Sequence, residues 1–215
     1  AGGGPTKKSS PFTYILPPVI TSISPPFGGT TGGNVVTITG VNFKGASSVT
    51  FGGLAATSLS VVNSTTITCI TPARTTAGAV GIIVTTGGGP SGAFSSYTYI
   101  LPPNITGISP SSGSTAGETN VTITGTNFTG ATSVTFDGLA ATTINVVNST
   151  TITCITPAHS VGAVGIIVTT LYGTSGTFSP FTYITPPNIT SISQLTGSTA
   201  GGTNVTITGT NFTGA

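Results

Sequence analysis

Charged side chains are almost absent from this sequence. Lys and Arg together number 4, Asp and Glu together number 2, and only 3% of the 215 residues carry a charge, whereas about a quarter is usual in soluble domains. Binding to nucleic acid or to an anionic membrane needs clustered Lys and Arg, which a net charge of +2 from scattered groups does not supply. We therefore expect no nucleic-acid partner.

The residues of catalytic chemistry are equally scarce. The chain holds one Asp, one Glu and one His, so paired carboxylates, catalytic triads and charged ligands for a hard cation all lack their parts. The single histidine, His159, stands where an otherwise identical stretch has Arg74, which favours a variable loop position over a ligand or a base. The sequence predicts neither an enzyme nor a metal or cofactor site.

Long hydrophobic runs are also missing. No run reaches the roughly 18 apolar residues that a transmembrane helix requires, so we expect no membrane insertion in this segment. The chain lacks an initiator Met and a signal peptide, which is typical of a mature chain or a piece of one. What it does contain is Val, Ile and Phe in alternating runs between Gly, Pro and Thr, a pattern that can bury a β-sheet core.

The sequence repeats itself. "TTITCITPA" occurs at 65–73 and again at 150–158, and the offset of 85 residues becomes 84 beyond that point. Two full units are expected at 19–103 and 104–187, after the last strand of a preceding unit in 1–18 and before the first two strands of a following unit in 188–215. This period suits a small autonomous domain, so we expect a window of a longer array.

Each unit reads as an antiparallel sandwich. In the first unit, seven strand candidates lie between turn residues, near 19–24, 34–39, 48–51, 56–62, 65–71, 79–86 and 94–100. Val36 and Ile38 are kept apolar in the second unit while Val35 becomes Asn120, so the first two should point inward and Val35 outward. Leu59 and Val61 are expected to form another inward pair. The aromatics of the last strand, Tyr97 and Tyr99 in the first unit and Tyr14 in the preceding copy, are expected to share the inward face and lie in the core rather than on a sugar-stacking surface.

The string "ITSISPPFGGTTGGNVVTITGVNFKGASSVTFGG", followed by "TTITCITPA", resembles the IPT/TIG domain, an immunoglobulin-like module of plexin and transcription-factor type. The resemblance covers the whole chain and implies tandem immunoglobulin-like sandwiches. With Pro-Pro at every link, we expect an all-β chain of sandwiches arranged as a rod. The family serves receptors, transcription factors, starch-acting enzymes and long surface proteins, so the resemblance does not decide the function.

Three residues of the "TITGxNF" motif have a physical interpretation. We expect Gly40 to end a strand at positive φ, Asn42 to cap the turn with its amide, and Phe43 to close the end of the core, and the same roles in the copies at 125–128 and 209–212. These residues are expected to build the fold.

The two cysteines, Cys69 and Cys154, hold equivalent positions, one in each unit. Successive domains should keep them far beyond the roughly 7 Å between Cα atoms that a disulfide allows, so they cannot pair within a chain. Two alternatives stay open: a buried free thiol in each core, or a disulfide to a neighbouring chain.

Modification and association sites can also be assigned. Eight Asn-x-Ser/Thr sequons permit N-glycosylation, at Asn63, Asn104, Asn120, Asn127, Asn148, Asn188, Asn204 and Asn211. A second set consists of apolar residues on the outward phase of their strands, repeated in both units. It could form a lateral interface or be tucked in by a bulge, and comprises Val62, Ile70, Ile83, Val147, Ile155 and Ile167.

These observations favour a structural subunit of an extracellular or cell-surface fibre or adhesin stalk, whose main partners are copies of itself. Low charge removes repulsion between neighbours, and repeats would set the length. The alternative is a carbohydrate-binding or spacer module of a large secreted enzyme, with surface polysaccharide as partner. That alternative needs an exposed aromatic row, for which Tyr172 is the candidate. A receptor ectodomain or an intracellular regulator is less favoured.

Overall fold

The computed structural model describes residues 13–213, and throughout that range the regular structure is β-strand, with no helix. Nothing in the described range is therefore a helix that could cross a membrane. The chain divides into two compact units, residues 1–101 and 102–215. Each holds one complete sandwich, as the alternating apolar pattern predicts.

The first unit contains ten strands in two sheets. The strands are β1 (Val19–Ser24), β2 (Phe27–Gly29), β3 (Val35–Val41), β4 (Ser48–Phe51), β5 (Leu54–Ala55), β6 (Thr57–Asn63), β7 (Thr66–Ile70), β8 (Gly78–Thr86), β9 (Gly89–Pro90) and β10 (Phe94–Ile100). One sheet has the order β1-β3-β7-β6, and the other has the order β2-β10-β8-β4-β5 with β9 added to β8. All pairs are antiparallel except β2 with β10.

The second unit repeats this topology strand for strand, with sheets β11-β13-β17-β16 and β12-β20-β18-β14-β15 plus β19 on β18. Its strands are β11 (Asn104–Ser109), β12 (Ser112–Ser114), β13 (Asn120–Thr126), β14 (Ala131–Phe136), β15 (Leu139–Ala140), β16 (Thr142–Asn148), β17 (Thr151–Ile155), β18 (Gly162–Thr170), β19 (Gly173–Thr174) and β20 (Phe178–Ile184). The opening of a third repeat follows as a two-stranded sheet of β21 (Asn188–Ser193) and β22 (Thr206–Thr210).

All seven strands predicted for the first unit are present, and the faces predicted for β3 are confirmed. Val36 and Ile38 are completely buried, whereas Val35, between them and the turn, is 65% exposed. The three short strands β2, β5 and β9 were not predicted, because two or three residues carry no readable alternation. One face was wrong: Val61, expected inward, is exposed on β6, an edge strand whose register shifts twice.

Aromatic rings fill the middle of each core. Tyr97 and Tyr99 are buried, and Phe51 meets Tyr97 edge to face with 5.1 Å between ring centroids. In the second unit, Phe136 meets Phe181 in the same way at 5.3 Å. These rings lie in the core, as predicted, and leave no aromatic row on the last strand for stacking on a sugar.

The chain before the first sandwich differs from expectation where it is described. Residues 13–18 run without regular secondary structure, and Tyr14, expected to share the inward face of a last strand, is 89% exposed. The rest of the strand predicted within 1–18 lies outside the described residues.

Candidate functional site

The segment Gly40 to Phe43 joins three parts of the first repeat. Asn42 holds a positive φ of 61°, and its Nδ2 donates a hydrogen bond of 3.1 Å to the carbonyl oxygen of Pro17, the first proline of the preceding Pro-Pro pair. Asn tolerates this backbone conformation better than other residues with a Cβ. The amide was expected to cap its own turn; instead it holds the linker 25 residues upstream.

The role predicted for Gly40 is wrong. Gly40 lies inside β3 without a positive φ, and a Cβ there would collide with the carbonyl oxygen of Val19 and with the Phe43 ring. Glycine is therefore required by the close approach of β1 and of the ring. The positive φ that was expected at Gly40 belongs to Asn42.

The same segment fastens the hairpin between β6 and β7. The amide N–H of Gly40 donates to the carbonyl of Thr65, and that of Phe43 donates to the carbonyl of Ser64, each at 2.9 Å. The Phe43 ring is completely buried and closes the end of the core, as predicted. We call Gly40–Phe43, with its contacts to Pro17 and to the hairpin, the entry clamp.

The complete entry clamp recurs in the second repeat, where Gly125 and Phe128 donate to the carbonyls of Thr150 and Ser149. In the third copy the asparagine–proline bond recurs, but Phe212, expected to close a core, is 38% exposed. Asn127 donates to the carbonyl of Pro102 at 3.1 Å, and Asn211 donates to that of Pro186 at 3.2 Å, both with φ of 60°. The proline partners were not predicted, although a sequence signal exists. The first proline of each pair precedes the asparagine by 25 residues in all three copies.

The few charged groups near the other end of each core act as packing groups. In the first unit, the Arg74 guanidinium lies over the Tyr99 ring, 5.5 Å from its centroid, and donates to the Phe51 carbonyl. In the second unit, His159 stacks on Tyr183, with 5.0 Å between centroids. Nε2 of His159 lies 3.8 Å from an oxygen of Asp137, which replaces a glycine of the first unit.

No cluster of three His, Cys, Asp or Glu side chains that could hold a metal ion occurs among residues 13–213. The side chain of His159 is 15% exposed and that of Asp137 is 70% exposed. On the other side of the ring, Nδ1 of His159 lies 2.9 Å from the carbonyl oxygen and 3.4 Å from the hydroxyl oxygen of Ser160, its neighbour in sequence. The contacts that the structure shows around His159 are ring stacking and hydrogen bonding.

The two cysteines lie in equivalent cores. Cys69 and Cys154 are free thiols, 1% and 2% exposed. Burial raises the pKa of Cys69 to about 11 and that of Cys154 to about 12. A disulfide to a neighbouring chain would require each sandwich to open first, so these positions favour the buried-thiol alternative.

The structure does not bring the outward apolar residues together on one surface. Val62 and Ile70 belong to the sheet of β6 and β7, whereas Ile83 belongs to β8 in the opposite sheet. The second unit distributes Val147, Ile155 and Ile167 in the same way. Only Val62 and Val147 are more than half exposed, at 59% and 54%. The expectation of a single lateral surface is corrected to two separate faces, because outward phase does not identify the sheet.

The sequons fall into three settings. Asn63 and Asn148 end the strands before the two hairpin tips and are exposed. Asn127 and Asn211 are the clamp asparagines of the second and third copies. The remaining four lie at or just before the start of a strand and are exposed: Asn104, Asn120, Asn188 and Asn204.

Comparison with known proteins is decisive for the family. The IPT/TIG domain family matches residues 18–100, 103–183 and 187–215. The chain belongs to the IPT/TIG family. Human Fibrocystin-L is 34% identical over 209 residues, which cover 94% of this chain and 5% of that protein. Mouse Plexin-A2 is 31% identical over 160 residues, covering 71% of this chain and 8% of that protein.

Among solved structures, the full extracellular region of Plexin A4 matches with a TM-score of 0.50 at 24% identity, over 88% of this chain and 18% of that one. This likeness supports the fold alone. The IPT/TIG repeats described here thus span a small part of the length of the relatives they match.

The entry clamp predicts a graded loss of stability in the first repeat. Asn42→Gly keeps the backbone conformation and loses the hydrogen bond, which should cost about 1 kcal/mol of unfolding free energy. Asn42→Ala also places a Cβ at positive φ and should cost about 2 kcal/mol in total. Urea unfolding measures both, with Asn127→Gly as the matched variant of the second repeat. Equal stability of wild type and Asn42→Gly would show that the hydrogen bond contributes nothing.

The buried thiols predict resistance to alkylation and a loss of stability in alkali. Native protein should react with iodoacetamide only after unfolding. The unfolded thiols ionise above their ordinary pKa of 9.0 while the folded ones stay neutral, so the thiol contribution to stability is intact below pH 9 and is lost towards pH 11. Cys69→Val with Cys154→Val should flatten this fall in stability. Part of the fall should remain, because burial also raises the pKa of Tyr97, Tyr99 and Tyr183. Rapid alkylation of native protein would contradict the assignment.

Proposed function

We propose that this chain is a structural segment of an extracellular or cell-surface protein, in which IPT/TIG repeats act as stiff, non-catalytic spacers and self-associate into a fibre or stalk. The observation that carries the proposal is the asparagine–proline hydrogen bond of the entry clamp, present at all three Pro-Pro linkers with nearly the same length. A spacer needs links that bend little, and a hydrogen bond repeated at each link restricts the linker in this way.

The length of free chain between repeats supports stiffness. β10 ends at Ile100 and Pro102 is already held by Asn127, so Leu101 alone separates the two. At the next link β20 ends at Ile184 and Pro186 is held by Asn211, which leaves Thr185. Because proline fixes its own φ, a link of one free residue has few conformations.

Self-association is supported by the composition of the outer faces. With 4 basic and 2 acidic residues in the whole chain, neighbouring copies meet little electrostatic repulsion. On the outer face of the first sheet, Val35 pairs with Ile70 as β3 meets β7, and Val35 is 65% exposed. We propose this face, with its counterpart around Ile155, as the side-by-side contact between copies.

The carbohydrate-binding alternative has weaker support in the geometry. Its discriminating feature is a row of exposed aromatics, and the last-strand rings Tyr97, Tyr99, Phe181 and Tyr183 are all buried. Tyr172, the candidate named from sequence, is half-buried and single. We therefore do not propose polysaccharide binding as the function of this chain.

Electron microscopy of purified native material tests the proposal. We expect ordered filaments with an axial repeat near the length of one domain. Discrete monomers that bind polysaccharide would overturn the fibre.

Paired variants identify the face that carries the contact. Ile70→Thr with Ile155→Thr should dissolve side-by-side bundles, whereas Ile83→Thr with Ile167→Thr, on the opposite sheet, should leave them intact. Bundles that survive both pairs would contradict the proposed face. A circular dichroism spectrum of each variant checks that the sandwiches still fold.

A further inference from the structure

We propose that Asn63 and Asn148 are the N-glycan acceptors of this chain, and that the clamp sequons at Asn127 and Asn211 stay unmodified. This inference goes beyond the structural role and needs from it only passage through a secretory compartment. The sequons have the same chemistry, and we distinguish them by whether Nδ2 of the asparagine already donates a hydrogen bond within the folded repeat.

The acceptor sites lie at the tips of equivalent hairpins. Asn63 ends β6, and its Oδ1 accepts hydrogen bonds from the amide N–H and from the hydroxyl of Thr65, both at 2.8 Å. Asn148 and Thr150 repeat both bonds at the same lengths. The hydroxyl of the sequon threonine is thus already hydrogen-bonded to the amide that would be modified.

The Nδ2 atoms are available at these tips. The side-chain hydrogen bonds of Asn63 and Asn148 use only the oxygen, and no described residue accepts from either Nδ2. Two backbone hydrogen bonds fix the hairpin tip of the first repeat, because the N–H groups of Gly40 and Phe43 donate to the carbonyls of Thr65 and Ser64. A glycan can therefore attach without disturbing a strand.

The clamp sequons present the opposite arrangement. Nδ2 of Asn127 points at the Pro102 carbonyl and that of Asn211 at the Pro186 carbonyl, so a sugar on either would compete with the clamp. The other sequons in complete repeats, Asn104 and Asn120, begin strands and lie opposite Thr126 and Ile155 of neighbouring strands. Asn63 and Asn148 instead lie at the last pair before a hairpin tip, opposite Thr66 and Thr151.

The transfer is a substitution at an anomeric carbon. A C–N bond forms between Nδ2 and the anomeric carbon of a saccharide carried on a lipid pyrophosphate. The bond from that carbon to the phosphate oxygen breaks, the lipid pyrophosphate leaves, and Nδ2 loses one proton. No electrons are exchanged.

A glycan here would also cover apolar surface. Val62 and Val147 directly precede the two acceptors and are 59% and 54% exposed. Both belong to edge strands, β6 and β16, whose free edges could otherwise pair with another chain. The sugar would then shield the edge beside the entry clamp and leave the outer face around Ile70 free.

The test uses the full chain, secreted from a host that supplies lipid-linked oligosaccharide. Deglycosylation in heavy-oxygen water marks each formerly occupied Asn, and mass spectrometry of peptic peptides reads the marks. We expect marks at Asn63 and Asn148 and none at Asn127 or Asn211. Asn63→Gln and Asn148→Gln should each remove one glycan mass from the intact protein.

Two control variants leave the clamp asparagines untouched. Thr129→Ala destroys the sequon at Asn127, and we expect no change in glycan mass. Lys44→Thr creates a sequon at Asn42, the clamp asparagine of the first repeat, and we expect no added glycan. Occupancy of Asn127 or of the new Asn42 sequon, or absence of glycan from Asn63 and Asn148, would overturn the proposal. Failure of filaments to form would leave this result unaffected, since the two experiments have separate readouts.

Discussion

The structure of each repeat depends on one crowded crossing, where the linker, the core and a hairpin meet on the segment Gly40–Phe43. The crossing works because each residue type is the one its position tolerates. Glycine lets the Val19 carbonyl approach, asparagine accepts a positive φ and reaches Pro17, and phenylalanine closes the core. The backbone N–H groups of the same segment hold the hairpin tip. Polar groups here are satisfied by neutral hydrogen bonds, in keeping with a chain that is almost without charge.

Much of the fold follows from period-two alternation and the repeat. Residues such as Val36 and Ile38 identify their own face, and comparison of two copies separates them from Val35. The alternating pattern does not show which sheet a strand joins. It therefore does not distinguish Ile70 from Ile83, although these residues lie in opposite sheets of the sandwich. The partner of Asn42 was missed for a related reason. A contact across 25 residues leaves no local pattern, and its only trace is the constant spacing in each copy.

Differences between the repeats show which contacts the fold needs. Arg74 over Tyr99 becomes His159 over Tyr183, and the shorter imidazole is met by Asp137 where the first unit has glycine. A flat polar group on that ring is kept while its identity changes. The asparagine and phenylalanine of the entry clamp are the same in all three copies, whereas the residue after them changes from Lys44 to Thr129 and Thr213.

The proposed spacer function requires that the clamp and a one-residue link make the joint between repeats stiff. It is tested most directly by the distance distribution between nitroxide labels on Ser60→Cys and Asn145→Cys, two equivalent exposed positions on the edge strands. Double electron–electron resonance should give one narrow distribution for the otherwise unaltered chain, and a clearly broader one when Asn127→Gly is added. A distribution that is already broad with Asn127 in place would contradict the account.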